Sequence, residues 1–169
     1  MLLQRATPLS QHFIRSRPLL PLPFAPPARA MSTPTAENDP PKPTGLVMQI
    51  IIRRDLLTVH KWPTGPLLAQ SAHAATAVLH KYRDHPDVRK YLEGEDGRGW
   101  EGMRKVVLEV PDENSLQEVA TKIDNLANPI PYHLWIEQPE NSPTALALIP
   151  NKRPKQLKKI LDEHCKLFD

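Results

Sequence analysis

The sequence predicts an α/β protein: a three-layer α/β/α sandwich with a four-stranded mixed sheet and elements in the order β-α-β-α-β-β-α. Three observations carry that prediction. Leu46 to Ile52 is an almost unbroken apolar run, interrupted only by Gln49, which marks a strand buried on both faces. Leu116, Val119, Ala120, Ile123 and Leu126 recur at helical spacing, so that segment lays one apolar stripe on a sheet. Two alternating segments, Tyr132 to Gln138 and Thr144 to Ile149, flank the turn residues Pro139-Glu140-Asn141 and read as a hairpin. Alternating strands and helices joined by right-handed crossovers place helices on the sheet faces.

Ahead of the first strand the composition changes. Pro8, Pro18, Pro21, Pro23, Pro26, Pro27, Pro34, Pro40, Pro41 and Pro43 all precede Gly45, so one domain of moderate core is expected over 45–169. Arg5, Arg15, Arg17 and Arg29 stand among Leu, Ser and Ala before the first acidic residue, Glu37, which is the composition of a mitochondrial transit peptide. The prolines from Pro18 to Pro26 break an amphipathic helix, so a disordered Pro-rich tail accounts for residues 1–44 nearly as well. Met31 is a candidate internal start that would leave a leaderless form; the expected location is mitochondrial or cytoplasmic. No run has the length of a membrane span, and no membrane partner is expected.

After the first strand, Gly65 supplies a turn, Pro66 suits a first helical position, and a helix runs to about Tyr82. Leu68, Ala69, Ala72, Ala75, Thr76, Val78 and Leu79 make a wide apolar surface, which predicts packing on more than one side. Gln70 and His73 lie three apart on one face near the helix start, where free N–H groups favour an anion. A polar site at this junction is one reading; alanine core with a hydrogen-bonded, buried His73 is the plainer one. Asp84-His85-Pro86 ends the helix, a short helical piece spans Val88 to Leu92, and Gly94 to Gly102 is a loop. Met103 to Val110 is the second strand, and Asp112 caps the amphipathic helix that follows. The last element is a helix from Pro154 to Phe168, with Leu157, Ile160, Leu161, His164 and Leu167 inward and Lys155, Lys158 and Lys159 outward.

Composition also excludes. Cys165 is the only cysteine, so no disulfide forms within the chain and a reducing compartment is implied. Apart from His80 and His85 the histidines show no paired ligand spacing, and neither a metal nor a cofactor is expected. A net charge of +3 is modest for a nucleic-acid binder, so distribution counts for more than the total. The basic clusters are Arg53-Arg54, and Lys152-Arg153 with Lys155, Lys158 and Lys159.

Arg53-x-Asp55-Leu56 after the first strand, Gly65 and Ala69-Gln70-x-x-His73-Ala74 in the helix, and Lys105-Val106-Val107 before Pro111-Asp112-Glu113 resemble the archaeal and eukaryotic type 2 peptidyl-tRNA hydrolases. The likeness is closer to a divergent branch, the peptidyl-tRNA hydrolase domain-containing proteins, through Trp62-Pro63, His73 to Ala77, Arg83 to Pro86, Met103 to Glu109, and Trp135-x-Glu137-Gln138-Pro139-Glu140-Asn141. It covers Leu46 to Asp169 and implies a metal-independent enzyme that hydrolyses the ester of peptidyl-tRNA, a homodimer, and no DNA partner. Its alternative is a catalytically impaired hydrolase fold that binds tRNA or a protein.

The resemblance implies His73, Gln70, Thr144 and Asp55 as catalytic residues and Arg53, Lys61, Gln138, Asn141 and Lys105 as substrate-binding ones. Two family groups are replaced: Pro66 stands where a lysine is typical, and Glu137-Gln138-Pro139-Glu140-Asn141 where a Gln-Asp-Ala-Gly turn is typical. The segment from Leu57 to Pro66 is longer than the family's by about four residues, which makes His60 or Lys61 a substitute for the lysine. Each candidate also has an ordinary reading. Asp55 suits a turn, Thr144 suits any strand, Glu137 and Glu140 suit an exposed hairpin, and the terminal lysines suit a solvated helix face.

Overall fold

The computed structural model describes residues 45–94 and 99–169, so the predicted leader, 1–44, and part of the predicted Gly94 to Gly102 loop lie outside the described residues. The elements are β1 (Met48–Arg53), α1 (Asp55–Thr58), α2 (Thr64–Lys81), α3 (Pro86–Glu93), a 3-10 turn (Gly99–Gly102), β2 (Lys105–Val110), α4 (Glu113–Asp124), β3 (Tyr132–Glu137), β4 (Ser142–Leu148), α5 (Lys155–His164) and β5 (Lys166–Leu167).

The sheet has five strands in the order β3-β4-β1-β2-β5, one more than the sequence predicts. β1 pairs parallel with β2 and antiparallel with β4, while β3–β4 and β2–β5 are antiparallel. The extra strand arises where helix is predicted up to Phe168. The chain leaves α5 at Cys165, which is extended (φ −123°, ψ 154°), and pairs Leu167 with Leu108 and Lys166 with Glu109. The free edge of β2 thereby gains a partner, and pairing at that edge outweighs the helical pattern of the last residues. Leu167 is consequently 66 % exposed rather than inward.

β1 is buried along its whole length, as its apolar run requires. Alternation splits its side chains between two cores. Met48, Ile50 and Ile52 pack with Leu67, Ala74 and Val78 of α2, whereas Ile51 packs with Leu116, Val119 and Ile123 of α4 and Leu157 and Leu161 of α5. The α4 stripe and its cap follow the sequence reading, with Asp112 accepting from the Ser115 N–H at 2.8 Å. That hydrogen bond also holds the Asp112 carboxyl below its ordinary pKa.

α2 departs from expectation in two ways. It starts at Thr64, so Pro66 is its third residue; the first helical bond is Leu67 N–H to Pro63 O at 3.2 Å, and the missing proline N–H costs nothing there. Gly65 is helical and a Cβ on it would meet nothing within 4 Å, so the turn is made upstream, with Lys61 at φ 58°. The apolar surface is also narrower than predicted: Leu67, Gln70, Ala74, Ala75 and Val78 are buried, but Leu68 is 57 % exposed and Ala72 and Thr76 face solvent. One stripe suffices to seat a helix on a sheet, and small apolar residues outside it are left in water. Among the described residues no helix is long and apolar enough to cross a membrane.

Candidate active site

Because β1 and β2 run parallel and β4 antiparallel, the end of β1, the end of β2 and the start of β4 meet at one edge of the sheet. Arg53, the last residue of β1, is buried there at 5 % exposure. A buried guanidinium needs acceptors, and the chain supplies them from four directions. Nε and Nη2 donate to the two oxygens of Asp55 at 3.0 and 2.7 Å, and Nη1 donates to Glu113 Oε2 at 2.7 Å, Pro143 O at 2.9 Å and Ser142 Oγ at 3.0 Å. The hydrogen bond to Asp55, with further help from Glu113, raises the Arg53 pKa against the opposing cost of burial.

Asp55 is held from its backbone as well. Its N–H donates to Pro111 O at 3.0 Å and that of Arg54 to Val110 O at 2.8 Å, which pins the start of α1 to the end of β2. His60 approaches the same carboxylate, with Nε2 3.5 Å from Asp55 Oδ2 and its backbone N–H donating to Asp55 O at 2.9 Å. The ring is 52 % exposed. Arg53, Asp55 and His60 thus form a line from the sheet interior to solvent.

A second, uncharged cluster lies beside it. Trp135 pairs with Ala145 but Ile136 pairs with Pro143, so Thr144 is the extra residue of a β-bulge. Ala145 and Ala147 face α2, and strict alternation would turn Thr144 to the opposite side. The bulge brings it back: the Thr144 hydroxyl donates to Gln70 Oε1 at 2.7 Å, and Gln70 Nε2 donates to Pro66 O at 3.1 Å. Both side chains are buried, at 0 % and 1 %. With its proton committed to Gln70, the hydroxyl oxygen keeps acceptor capacity only.

His73 does not follow the plainer sequence reading of a buried histidine. It is exposed and stacks on Trp135, with centroids 4.8 Å apart and planes 18° from parallel. Trp135 is steadied by its own Nε1–H, which donates to Glu137 Oε2 at 2.7 Å. His133 meets Trp135 edge-on at 6.2 Å, and its pKa is lowered by burial and by Lys81.

The predicted residues divide accordingly. Arg53, Asp55, Gln70, Thr144 and the Gln138–Asn141 turn share this end of the sheet, and Gln138 and Asn141 are exposed. Arg53 is predicted to bind substrate, yet each nitrogen of its guanidinium already donates to a protein acceptor. Lys61 is exposed in the loop before α2. Lys105 is not brought here: it opens β2 opposite Met48, at the other end of the sheet, with Nζ 5.6 Å from the Tyr91 ring. Glu113 and Ser142 are the partners that sequence reasoning missed. A strand-end arginine beside a single aspartate signals unmet donors, but nothing local says which residues meet them.

At the start of α2, the N–H groups of Thr64 and Gly65 precede the first helical bond, and a Cβ on Gly65 would meet nothing within 4 Å. The edge therefore offers a carboxylate-backed imidazole, a stacked imidazole and helix-start donors, a donor and acceptor set suited to ester hydrolysis.

The family described as peptidyl-tRNA hydrolase PTH2 matches residues 46–167. The chain is 48 % identical over 110 residues to a human protein named "Putative peptidyl-tRNA hydrolase PTRHD1", covering 64 % of this chain and 74 % of that one. The mouse protein of the same name matches at 48 % over 110 residues, with the same shares of 64 % and 74 %. With both cores and the whole edge described above inside the matched span, this chain belongs to the PTH2 family of peptidyl-tRNA hydrolases.

Proposed function

We propose that this chain hydrolyses the ester linking a peptide to tRNA, and that the reaction takes place where β1, β2 and β4 meet. The observation that carries the proposal is the line Arg53–Asp55–His60: an exposed imidazole backed by a carboxylate whose two oxygens are already fixed by a buried guanidinium. Ester hydrolysis needs a proton taken from water, and an exposed imidazole beside a carboxylate is placed to take it. His60 is the group proposed to take that proton, Asp55 orients it, and Arg53 positions Asp55.

The N–H groups of Thr64 and Gly65 are proposed to meet the developing oxyanion or a tRNA phosphate. Lys61, Gln138 and Asn141, all exposed around the edge, are proposed substrate contacts. Gln70 and Thr144 are too buried to touch substrate and are assigned as positioning residues that fix the α2 start against β4.

The test is release of peptide from purified peptidyl-tRNA by the full chain. His60→Gln is expected to lower the rate by about 100-fold while leaving tRNA binding unchanged. Release lost in His73→Gln but kept in His60→Gln moves the proton acceptor to His73. A second reading, a fold that binds tRNA without turnover, is favoured by Pro66 at the typical lysine position. Salt-sensitive binding with no release at micromolar protein, beside an active type 2 enzyme, would establish it in place of the first.

A further inference from the structure

His73 is exposed on α2, and its imidazole makes no hydrogen bond among the described residues. Exposed side chains without such bonds ordinarily exchange between rotamers. This ring instead lies flat on Trp135, with 4.8 Å between centroids and 18° between planes. Trp135 is itself fixed, because its Nε1–H donates to Glu137 Oε2 at 2.7 Å and His133 meets it edge-on. The stack is thus the contact that orients His73, and both of its ring nitrogens are left uncommitted.

The helix leaves the ring uncovered. Its neighbours three and four residues away are Ala69, Gln70, Thr76 and Ala77. Gln70 is buried and bound to Thr144 and Pro66, and the other three are too short to lie over an imidazole. The face of His73 turned away from Trp135 is therefore open to a flat ligand. Trp135 pairs with Ala145, next to Thr144, and His73 lies one turn from Gln70, so the stack adjoins the Thr144–Gln70 pair of the candidate active site. It stands roughly 12 Å along α2 from Gly65, a span that the unpaired 3′ end of a tRNA covers.

Unpaired bases stack on aromatic side chains, histidine included, and such stacking tolerates any base because each has a π face. Glu137 puts a carboxylate at the edge of the stack, which disfavours a phosphate there and leaves a neutral base as the better fit. We propose that His73, backed by Trp135, is the platform on which the 3′-terminal nucleobase of the tRNA stacks. The platform rests on the reading of this edge as a peptidyl-tRNA site, and it adds a base-contacting residue to groups that act on the ester or the backbone. A ring oriented before the ligand arrives saves the cost of ordering it on binding.

The experiment follows the Trp135 indole N–H resonance of the isotopically labelled full chain during titration with the trinucleotide CCA and with the same trinucleotide lacking its last base. Neither carries a peptide ester, so binding is read apart from turnover. CCA is expected to shift the resonance saturably and the abasic form to bind about tenfold more weakly. His73→Ala, at an exposed position that spares the fold, should weaken CCA about tenfold and erase the difference between the two ligands. His73→Phe keeps a flat ring without the nitrogens and should stay within about twofold of wild type. The Trp135 resonance is present in every variant. No saturable shift with CCA, equal affinities for the two ligands in wild type, a His73→Ala chain that binds CCA as wild type does, or a His73→Phe chain as weak as His73→Ala would each overturn the proposal. Base-dependent binding without peptide release keeps the platform and removes the hydrolytic reading, whereas release without base-dependent binding removes the platform alone.

Discussion

Arg53 and Gln49 stand four residues apart on β1, on the same face of the strand, and are both buried, at 5 % and 1 % exposure. Their surroundings are opposite. Arg53 carries a charge, and every nitrogen of its guanidinium donates to an acceptor drawn from α1, α4 or the start of β4. Gln49 carries none, and half of its amide is unmet. A buried charge must be satisfied by the protein itself or the fold fails, so the Arg53 end is framework. A buried neutral donor costs less, and a fold can carry one unmet. The saturated end thus holds other groups in place, whereas the Gln49 side chain makes one hydrogen bond, to Asn151.

The largest break in this comparison is Arg53→Met. It strands the Asp55 carboxylate, 14 % exposed, and leaves Glu113, 38 % exposed, to turn to water. The expected loss is about 3 kcal/mol in urea denaturation at pH 7, with peptide release lost as His60 loses its backing. Glu113→Ala should cost about 1 kcal/mol or less, because one of four acceptor groups goes and the site is partly solvated. Equal losses in the two variants would remove the distinction between a framework charge and its helper.

Thr144→Val tests the neutral pair at the same end. The Gln70 Oε1 loses its donor in a dry site, at an expected 1–3 kcal/mol. Adding Gln70→Leu should recover part of that loss, since removing both partners is milder than orphaning one. Thr144→Ser should keep both stability and turnover, because the hydroxyl on the bulge, and not the methyl, sets Gln70. A serine variant that folds like wild type but releases no peptide would sink the positioning role.

Acid separates both ends from the sheet edge. Arg53 keeps its charge under any working condition and Gln49 does not titrate, so neither gives a slope near neutrality. His133 does: burial and Lys81 lower its folded pKa below the 6.5 of the unfolded chain. Below pH 6.5 the unfolded state binds the extra proton first, so the stability His133 contributes is present above 6.5 and is lost as the pH falls through its folded pKa. His133→Asn should flatten the melting temperature against pH below 6.5. An unchanged slope would assign that limb to other groups.

Local pattern made much of this legible. The buried β1, the capped and periodic α4 and the β3–β4 hairpin follow from residue spacing alone, because each buries its apolar face in a way its own sequence states. What escaped depends on partners distant in sequence. β5 exists because β2 has a free edge, and its two residues carry no strand pattern. The alanines of α2 read as core because periodicity ranks them apolar, but burial depends on what lies opposite. Thr144 could be picked out from the resemblance, whereas its return to the α2 side needs a bulge, and a bulge is a property of register between two strands. Lys105 stands apart from the other candidates for a related reason: in a parallel pair, the start of β2 lies at the opposite end from Arg53.

The smallest effect belongs to Gln49→Met, and its smallness is the point. The substitution removes one unmet donor, a gain of about 1–3 kcal/mol on the usual scale for such groups. It also takes the Oε1 acceptor from Asn151, whose Nδ2 keeps Ile149 O at 2.9 Å but loses one of its two bonds. These terms have opposite sign and similar size, and methionine is flexible enough to fill the amide's volume. The net change should lie within about 1 kcal/mol of zero, against about 3 kcal/mol lost four residues away at Arg53. A loss at Gln49 as large as that at Arg53 would mean that its amide is framework too, satisfied in solution by water, and the two ends of β1 would no longer differ in kind.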